Sequence, residues 1–172
     1  DKTTEKKNYP YYIEGPVTEK RVERFLEAFA AVLHFSDYKA LLDSYCTSSA
    51  KCNRCAVTCP VFIATGEPRD IPCYRTNLLP DVYKRYFTIG GWMKSRFGNG
   101  FELTDDVIDD MLDVFYRCTA CRRCTQECPM GVDHGLITRL GRYVLSLIGI
   151  VPKALQVSVR EQLEGDTHNT SK

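Results

Sequence analysis

Eight of the chain's nine cysteines fall into two tight groups. The second group is Cys118, Cys121, Cys124 and Cys128 followed by Pro129, a C-x2-C-x2-C-x3-C-P run. The first is Cys46, Cys52, Cys55 and Cys59 followed by Pro60. It keeps C-x2-C-x3-C-P but opens with C-x5-C, and Ser49 stands where the shorter spacing would put a cysteine. No other feature constrains the fold as strongly, because thiols this dense are used either for cross-links or for metal. An odd total without a secretory signal argues against a disulfide framework and for metal binding.

The spacing has a mechanical reading. Three cysteines at intervals of three wrap a turn of backbone around a cubane, so that three thiolates reach three iron corners. The fourth, displaced by one residue and followed by proline, is directed away, and in two-cluster ferredoxins with this run it ligates the other cluster. The expected arrangement is therefore two [4Fe–4S] clusters with crossed ligands. Cys46, Cys52, Cys55 and Cys128 hold the first, and Cys59, Cys118, Cys121 and Cys124 hold the second. Cys46 is taken to supply its thiolate across a three-residue insertion. If it falls short, the first site becomes a three-iron cluster or keeps a labile iron corner. Cys73, otherwise a small buried hydrophobe, is then the first substitute. Zinc also takes four thiolates, which leaves a structural zinc scaffold as an alternative, although zinc motifs usually pair two C-x2-C knuckles.

Several charged residues sit beside these ligands. Lys51, Arg54, Arg122 and Arg123 favour a reduced, more negative cluster or form a docking face for an acidic redox partner. Asp105, Asp106, Asp109, Asp110 and Asp113 read as a solvated helix face first and an interaction surface second. His134 is expected at the surface or as a cap, with a proton-coupled or partner-facing role as the alternative. Pro129 is expected in the first turn of the helix that follows Cys128.

Apolar residues recur with helical period. Val22, Phe25, Leu26, Phe29, Val32 and Leu33 mark a helix after Thr18, a plausible N-cap. Tyr38, Leu41, Leu42 and Tyr45 mark a second that delivers the chain to Cys46. A short helix from Pro60 closes at Gly66. Residues 67–72 form a loop, and a helix from Pro72 is expected to break or kink at Pro80. Glycines 90, 91, 98 and 100 mark a connection around Trp92. Thr104 caps a helix with the stripe Ile108, Met111, Leu112 and Phe115, which runs into Cys118. Leu136, Leu140, Tyr143, Val144 and Leu147 mark another. No segment alternates with period two, so the fold class is all-α. The two motifs, about 70 residues apart, are expected in a pseudo-two-fold arrangement. The expected organisation is an N-terminal arm over 1–17, a helical di-cluster domain over 18–150, and a C-terminal helix with a polar tail over 151–172.

Charge excludes one class of partner. Lysine and arginine number 23 against 22 aspartate and glutamate, so no net field draws the chain to nucleic acid. The longest apolar run, Val144 to Val151, is far short of the roughly 20 residues a spanning helix needs. The first dozen residues contain no apolar h-region, so a cytoplasmic location is expected, extending to the cytoplasmic face of a membrane through a partner. Opening at Asp1 and ending in EGDTHNTSK, the chain reads as a piece of a longer polypeptide.

With both motifs on helices, the chain resembles the α-helical ferredoxin module of heterodisulfide reductases, found in their small iron–sulfur subunit and in the N-terminal part of the fused, larger type. That group includes the iron–sulfur subunit of sulfite-reduction-associated membrane complexes. The resemblance is carried by CNRCAVTCPVFIATGEPRDIP, LLPDVYKRYF and FYRCTACRRCTQECPMGVD with the helix after it, and covers about residues 36–150. It implies a non-catalytic electron-transfer component of an oxidoreductase complex. Its clusters would relay single electrons between a flavoprotein or cytochrome b donor and a cysteine-rich reductase subunit or domain, within a hetero-oligomer. The chain departs from the family in its C-x5-C insertion and in having no Cys-Cys pair and no cysteine after Cys128. The iron–sulfur subunit of a succinate or fumarate oxidoreductase is the alternative. Such subunits carry a C-x4-C-x2-C pattern upstream, and residues 1–45 contain no cysteine.

Overall fold

A computed structural model of the chain describes residues 19–91, 93, 100–152 and 154–158. Among them every regular element is helical. The expected arm 1–17, the Thr18 cap, Trp92 and most of the expected C-terminal tail lie outside the described residues. Helix α1 (Arg21–Phe35) buries Phe25, Phe29, Val32 and Leu33, a stripe at helical spacing. Helix α2 (Tyr38–Ser48) buries Leu42 and turns Tyr38 and Tyr45 toward the same core.

The chain then tightens into a 3-10 turn at Arg54–Thr58. Pro60 opens the short α3 (Pro60–Thr65), since proline's fixed φ and missing donor suit a first turn. Gly66 closes it in the left-handed region at φ 68°, donating its N–H to the Phe62 carbonyl at 2.8 Å. The stretch expected as a loop contains a 3-10 turn, Pro68–Asp70.

Helix α4 (Pro72–Phe87) runs through Pro80 without a break. Proline inside a helix costs about 3 kcal/mol through its missing donor and its ring. Here Leu79, Pro80, Val82 and Tyr83 are all buried, and that packing outweighs the local penalty. Helix α5 (Asp105–Arg117) starts as expected, with the Thr104 hydroxyl accepting from the Val107 N–H. Its buried stripe is Ile108, Met111, Val114 and Phe115, so Val114 takes the place expected for Leu112.

A single turn, α6 (Arg123–Gln126), follows the second motif's middle cysteine. Helix α7 (His134–Leu147) then packs against α1, α4 and α5 and forms the centre of the core. It starts five residues after Pro129. Cys128 to Gly131 form a turn, with Gly131 at φ 68° donating to the Cys128 carbonyl, and Asp133 is the cap. The buried face is Ile137, Leu140, Val144 and Leu145, rotated from the expected one, and Tyr143 faces solvent.

The acidic run on α5 is a strap. Asp109 pairs with Arg21 of α1, and Asp113 pairs with Arg69 and, at 3.0 Å, with Arg117. Asp110 accepts from the Tyr74 hydroxyl at 3.2 Å. Through Arg69 these contacts fasten the helix leading into the second motif to the turn that follows the first, and through Arg21 and Tyr74 to α1 and α4.

Candidate metal centre

The two motif loops repeat one backbone trick. Lys51 and Asn53 flank Cys52 at φ 50° and 59°, and Ala120 and Arg122 flank Cys121 at φ 55° and 59°. Among the described residues only Lys20 otherwise combines a side chain with positive φ. Such conformations are unfavourable for L-residues and persist only where the surroundings impose them. Both loops therefore turn in the same way around their exposed cysteine, Cys52 in one and Cys121 in the other. The middle cysteines, Cys52 and Cys121, are exposed, while Cys55 and Cys124 turn inward and are buried.

Each loop walls a small cavity. The wall of cavity II includes Cys59, Cys118, Cys121 and Cys124, the four residues expected around the second cluster. The wall of cavity I includes Cys52, Cys55 and Cys128, three of the four expected around the first. In each case the thiol after the x3 spacing comes from the opposite motif. The fourth thiol of cavity I is Cys73, from the first turn of α4. Cys46 instead lies near the end of α2, packed against the main hydrophobic core.

Cys55, Cys73 and Cys124 form one buried cluster, so the two cavities stand back to back across a wall of sulfur. The interaction between the adjoining Cys55 and Cys73 side chains raises the Cys55 thiol and holds Cys73 down to about 7. Burial, reinforced by the neighbouring thiols of Cys118, Cys59 and Cys121, pushes Cys124 up to about 11. A backbone N–H bond lowers Cys121. Among the described residues no three Cys, His, Asp or Glu side chains converge on one point as a single ion requires. The thiols ring the two cavities instead.

Arg75 tests whether these cavities fit a cluster. It is 2% exposed, its Nη2 donates to the Cys59 sulfur at 3.6 Å, and its Nε and Nη1 have no partner. A buried guanidinium without a counter-charge is strongly unfavourable. Four thiolates around iron and sulfide carry net negative charge and sulfur acceptors, which is what Arg75 lacks beside cavity II. The Ala120 N–H adds a bond to the Cys118 sulfur at 3.4 Å. The residues present fit the group.

Sequence reasoning passed over Arg75, although a charge four residues before Leu79 on an otherwise apolar face was a readable signal. It passed over Arg142 too, whose guanidinium bonds the Phe115 carbonyl at 2.9 and 2.7 Å and also reaches the Cys118 carbonyl. That contact fixes the end of α5 where the motif begins. His134 is a further difference, being buried at 4% exposure, on the wall of cavity I, with Nδ1 2.9 Å from the Thr76 hydroxyl. Burial and the Arg75 charge lower its pKa to about 4. The cap is Asp133, which accepts from the Leu136 N–H at 3.0 Å and the Thr125 hydroxyl at 2.9 Å and pairs with Arg122. Of the other expected cations, Lys51 and Arg54 lie on the wall of cavity I, the latter 3.9 Å from Glu127.

The model of the 4Fe-4S dicluster domain matches residues 43–132, more than half of the chain and the stretch holding both cavities. The chain belongs to this family. It binds [4Fe–4S] clusters and transfers electrons through them. An Hdr-like menaquinol oxidoreductase iron-sulfur subunit 2 from Archaeoglobus fulgidus is 32% identical over 146 residues, 85% of this chain and 26% of the relative. An Hdr-like menaquinol oxidoreductase iron-sulfur subunit from Archaeoglobus profundus is 30% identical over 118 residues, 69% of this chain and 21% of the relative. The matched stretches thus span about a quarter of those relatives' lengths. No solved structure matches the chain.

Proposed function

We propose that the chain is a two-cluster relay, carrying single electrons between a flavin- or haem-bearing partner and a cysteine-rich reductase subunit or domain. One [4Fe–4S] cluster would be held by Cys59, Cys118, Cys121 and Cys124. The other would be held by Cys52, Cys55 and Cys128 with one more thiolate, from Cys46 or Cys73. The observation that carries the reading is the pair of cavities, each with four thiols on its wall and one of those from the opposite motif. Bound there, the clusters supply one-electron redox chemistry. The protein's own contributions are to bury Cys55 and Cys124, leave Cys52 and Cys121 at the surface, and set the two sites against a shared wall. An electron entering at one exposed edge would thus leave at the other.

The relatives' names support a place in a hetero-oligomeric Hdr-like oxidoreductase, with a quinol as the ultimate source of electrons. No described helix is long and apolar enough to cross a membrane, and we place the chain at the cytoplasmic face through its partners.

The test is chemical. Protein purified without oxygen should carry close to eight irons and eight sulfides per chain, with an EPR signal on reduction. Fewer than about six irons removes the two-cluster reading, and stoichiometric zinc in a colourless preparation replaces it with the scaffold. Cys128→Ser should damage the signal of the first motif's cluster, and Cys59→Ser that of the second motif's. The uncrossed result would overturn the ligand assignment.

A further inference from the structure

We infer that Cys73, and not Cys46, is the fourth thiolate of the cluster in cavity I. The inference rests on the two-cluster reading and deepens it.

The two motifs can be laid over each other by spacing. Cys52, Cys55 and Cys59 correspond to Cys121, Cys124 and Cys128, and Ser49 corresponds to Cys118. The backbone repeats the correspondence, since left-handed residues flank both Cys52 and Cys121. Cys118 lies on the wall of cavity II, and Ser49 lies in the equivalent place on the wall of cavity I. The insertion has therefore not moved the first thiol of the motif. It has put a hydroxyl where that thiol belongs, leaving cavity I with two sulfurs from its own loop and Cys128 from the other.

Two cysteines could make up the deficit. Cys46 is on α2, half-buried against the main core, and is not on the wall of the cavity. That helix is held by the bond between the Tyr83 hydroxyl and Asp43 at 2.6 Å and by the Tyr45 hydroxyl, which accepts from the Asp133 N–H at 3.1 Å. Cys73 is on the wall already, 6% exposed, in one buried cluster with Cys55, and its thiol donates to the Asn53 side-chain oxygen at 2.7 Å, in the loop that carries Cys52 and Cys55. On ligation the Cys73 thiol gives its proton to solvent and its sulfur bonds the fourth iron, with no change of oxidation state.

The experiment uses the whole chain, purified without oxygen, with iron and sulfide counts and EPR before and after reduction. Cys46→Ser should keep the iron content and the reduced spectrum of the unmodified protein. Cys73→Ser should lose about one iron of eight and show an oxidised three-iron signal, or lose cluster I and about half the iron. Adding Ser49→Cys to Cys73→Ser should restore the four-iron signal, because it returns a thiol to the equivalent of Cys118. A core-packing role for Cys73 would not be rescued from position 49. Iron loss in Cys46→Ser with an intact Cys73→Ser overturns the inference, as does full iron in both. An unmodified chain with only one cluster overturns the two-cluster reading and the inference with it.

Discussion

Arg75 shows how a side chain that is costly to bury can be useful to a cluster beside it. Its guanidinium is sealed beside cavity II with two donors unpartnered. A carboxylate would pair it and cancel its field, but the nearest polar partner it has is the Cys59 sulfur. In a site of low dielectric a fixed cation favours the more negative, reduced cluster and raises its potential. Arg75→Gln removes the charge while keeping donors of similar reach. The potential of the cluster in cavity II should then fall by on the order of 60 mV, the one-electron equivalent of a tenfold change in equilibrium constant. An EPR-monitored redox titration reads this directly. Arg54→Gln, whose side chain is exposed, should move the other cluster far less, since solvent screens it. Equal shifts in the two variants would mean that burial gives Arg75 no special influence. The thiols of the motifs were legible from spacing because thiolates stepped by three answer to one kind of chemistry. Arg75 could be read as a charge on an apolar face, but its role could not, because that depends on which face of α4 turns toward Cys59.

Helix α7 is the element on which both sites are hung, and its fit to α5 is close. A Cβ built at Gly141 would stand 2.3 Å from Cε2 of Phe115, a fully buried ring with no room to withdraw. Gly-to-Ala in a helix ordinarily stabilises by nearly 1 kcal/mol, whereas overpacking a core costs about 1–3 kcal/mol. The clash should win, so Gly141→Ala is expected to destabilise the protein by about 1–2 kcal/mol in urea denaturation. A stabilised variant would mean that α5 and α7 separate easily. The phase of α7 was hard to read from sequence for a related reason. Its segment is apolar on more than one side, so Leu136, Tyr143 and Leu147 competed with Ile137 and Leu145 for the core, and only the neighbouring helices decide between them. Pro80 misled in the same way, since the local rule was outweighed by burial on both sides of it. Helices α1 and α5 were legible because each has one apolar stripe, and α5 has a cap with its acids in the first turn.

At the scale of the whole molecule the topology makes the two sites interdependent. The wall of cavity I draws on residues 49–55, on Cys73 and on residues 128–134, and that of cavity II on residues 59–61, on Arg75 and on residues 118–124. Neither motif owns a complete wall. Fully buried Asp70, in the turn after the first motif, bonds Arg117 at 3.3 Å just before the second, so the same halves are also joined by charge. Tyr45, next to the first motif, binds the backbone of Asp133 beyond the second. Opening either half therefore breaks both cavities, and clusters held as proposed would help to hold the halves together. In a urea titration under argon, visible absorbance from the clusters and far-ultraviolet circular dichroism from the helices should be lost at one common midpoint, as a single cooperative transition. Two steps, with about half the absorbance surviving the first, would show that each motif keeps its own cluster without help from the other. Coincidence of the two probes is expected here because one sulfur on the wall of each cavity, Cys128 in the first and Cys59 in the second, is carried by the opposite motif.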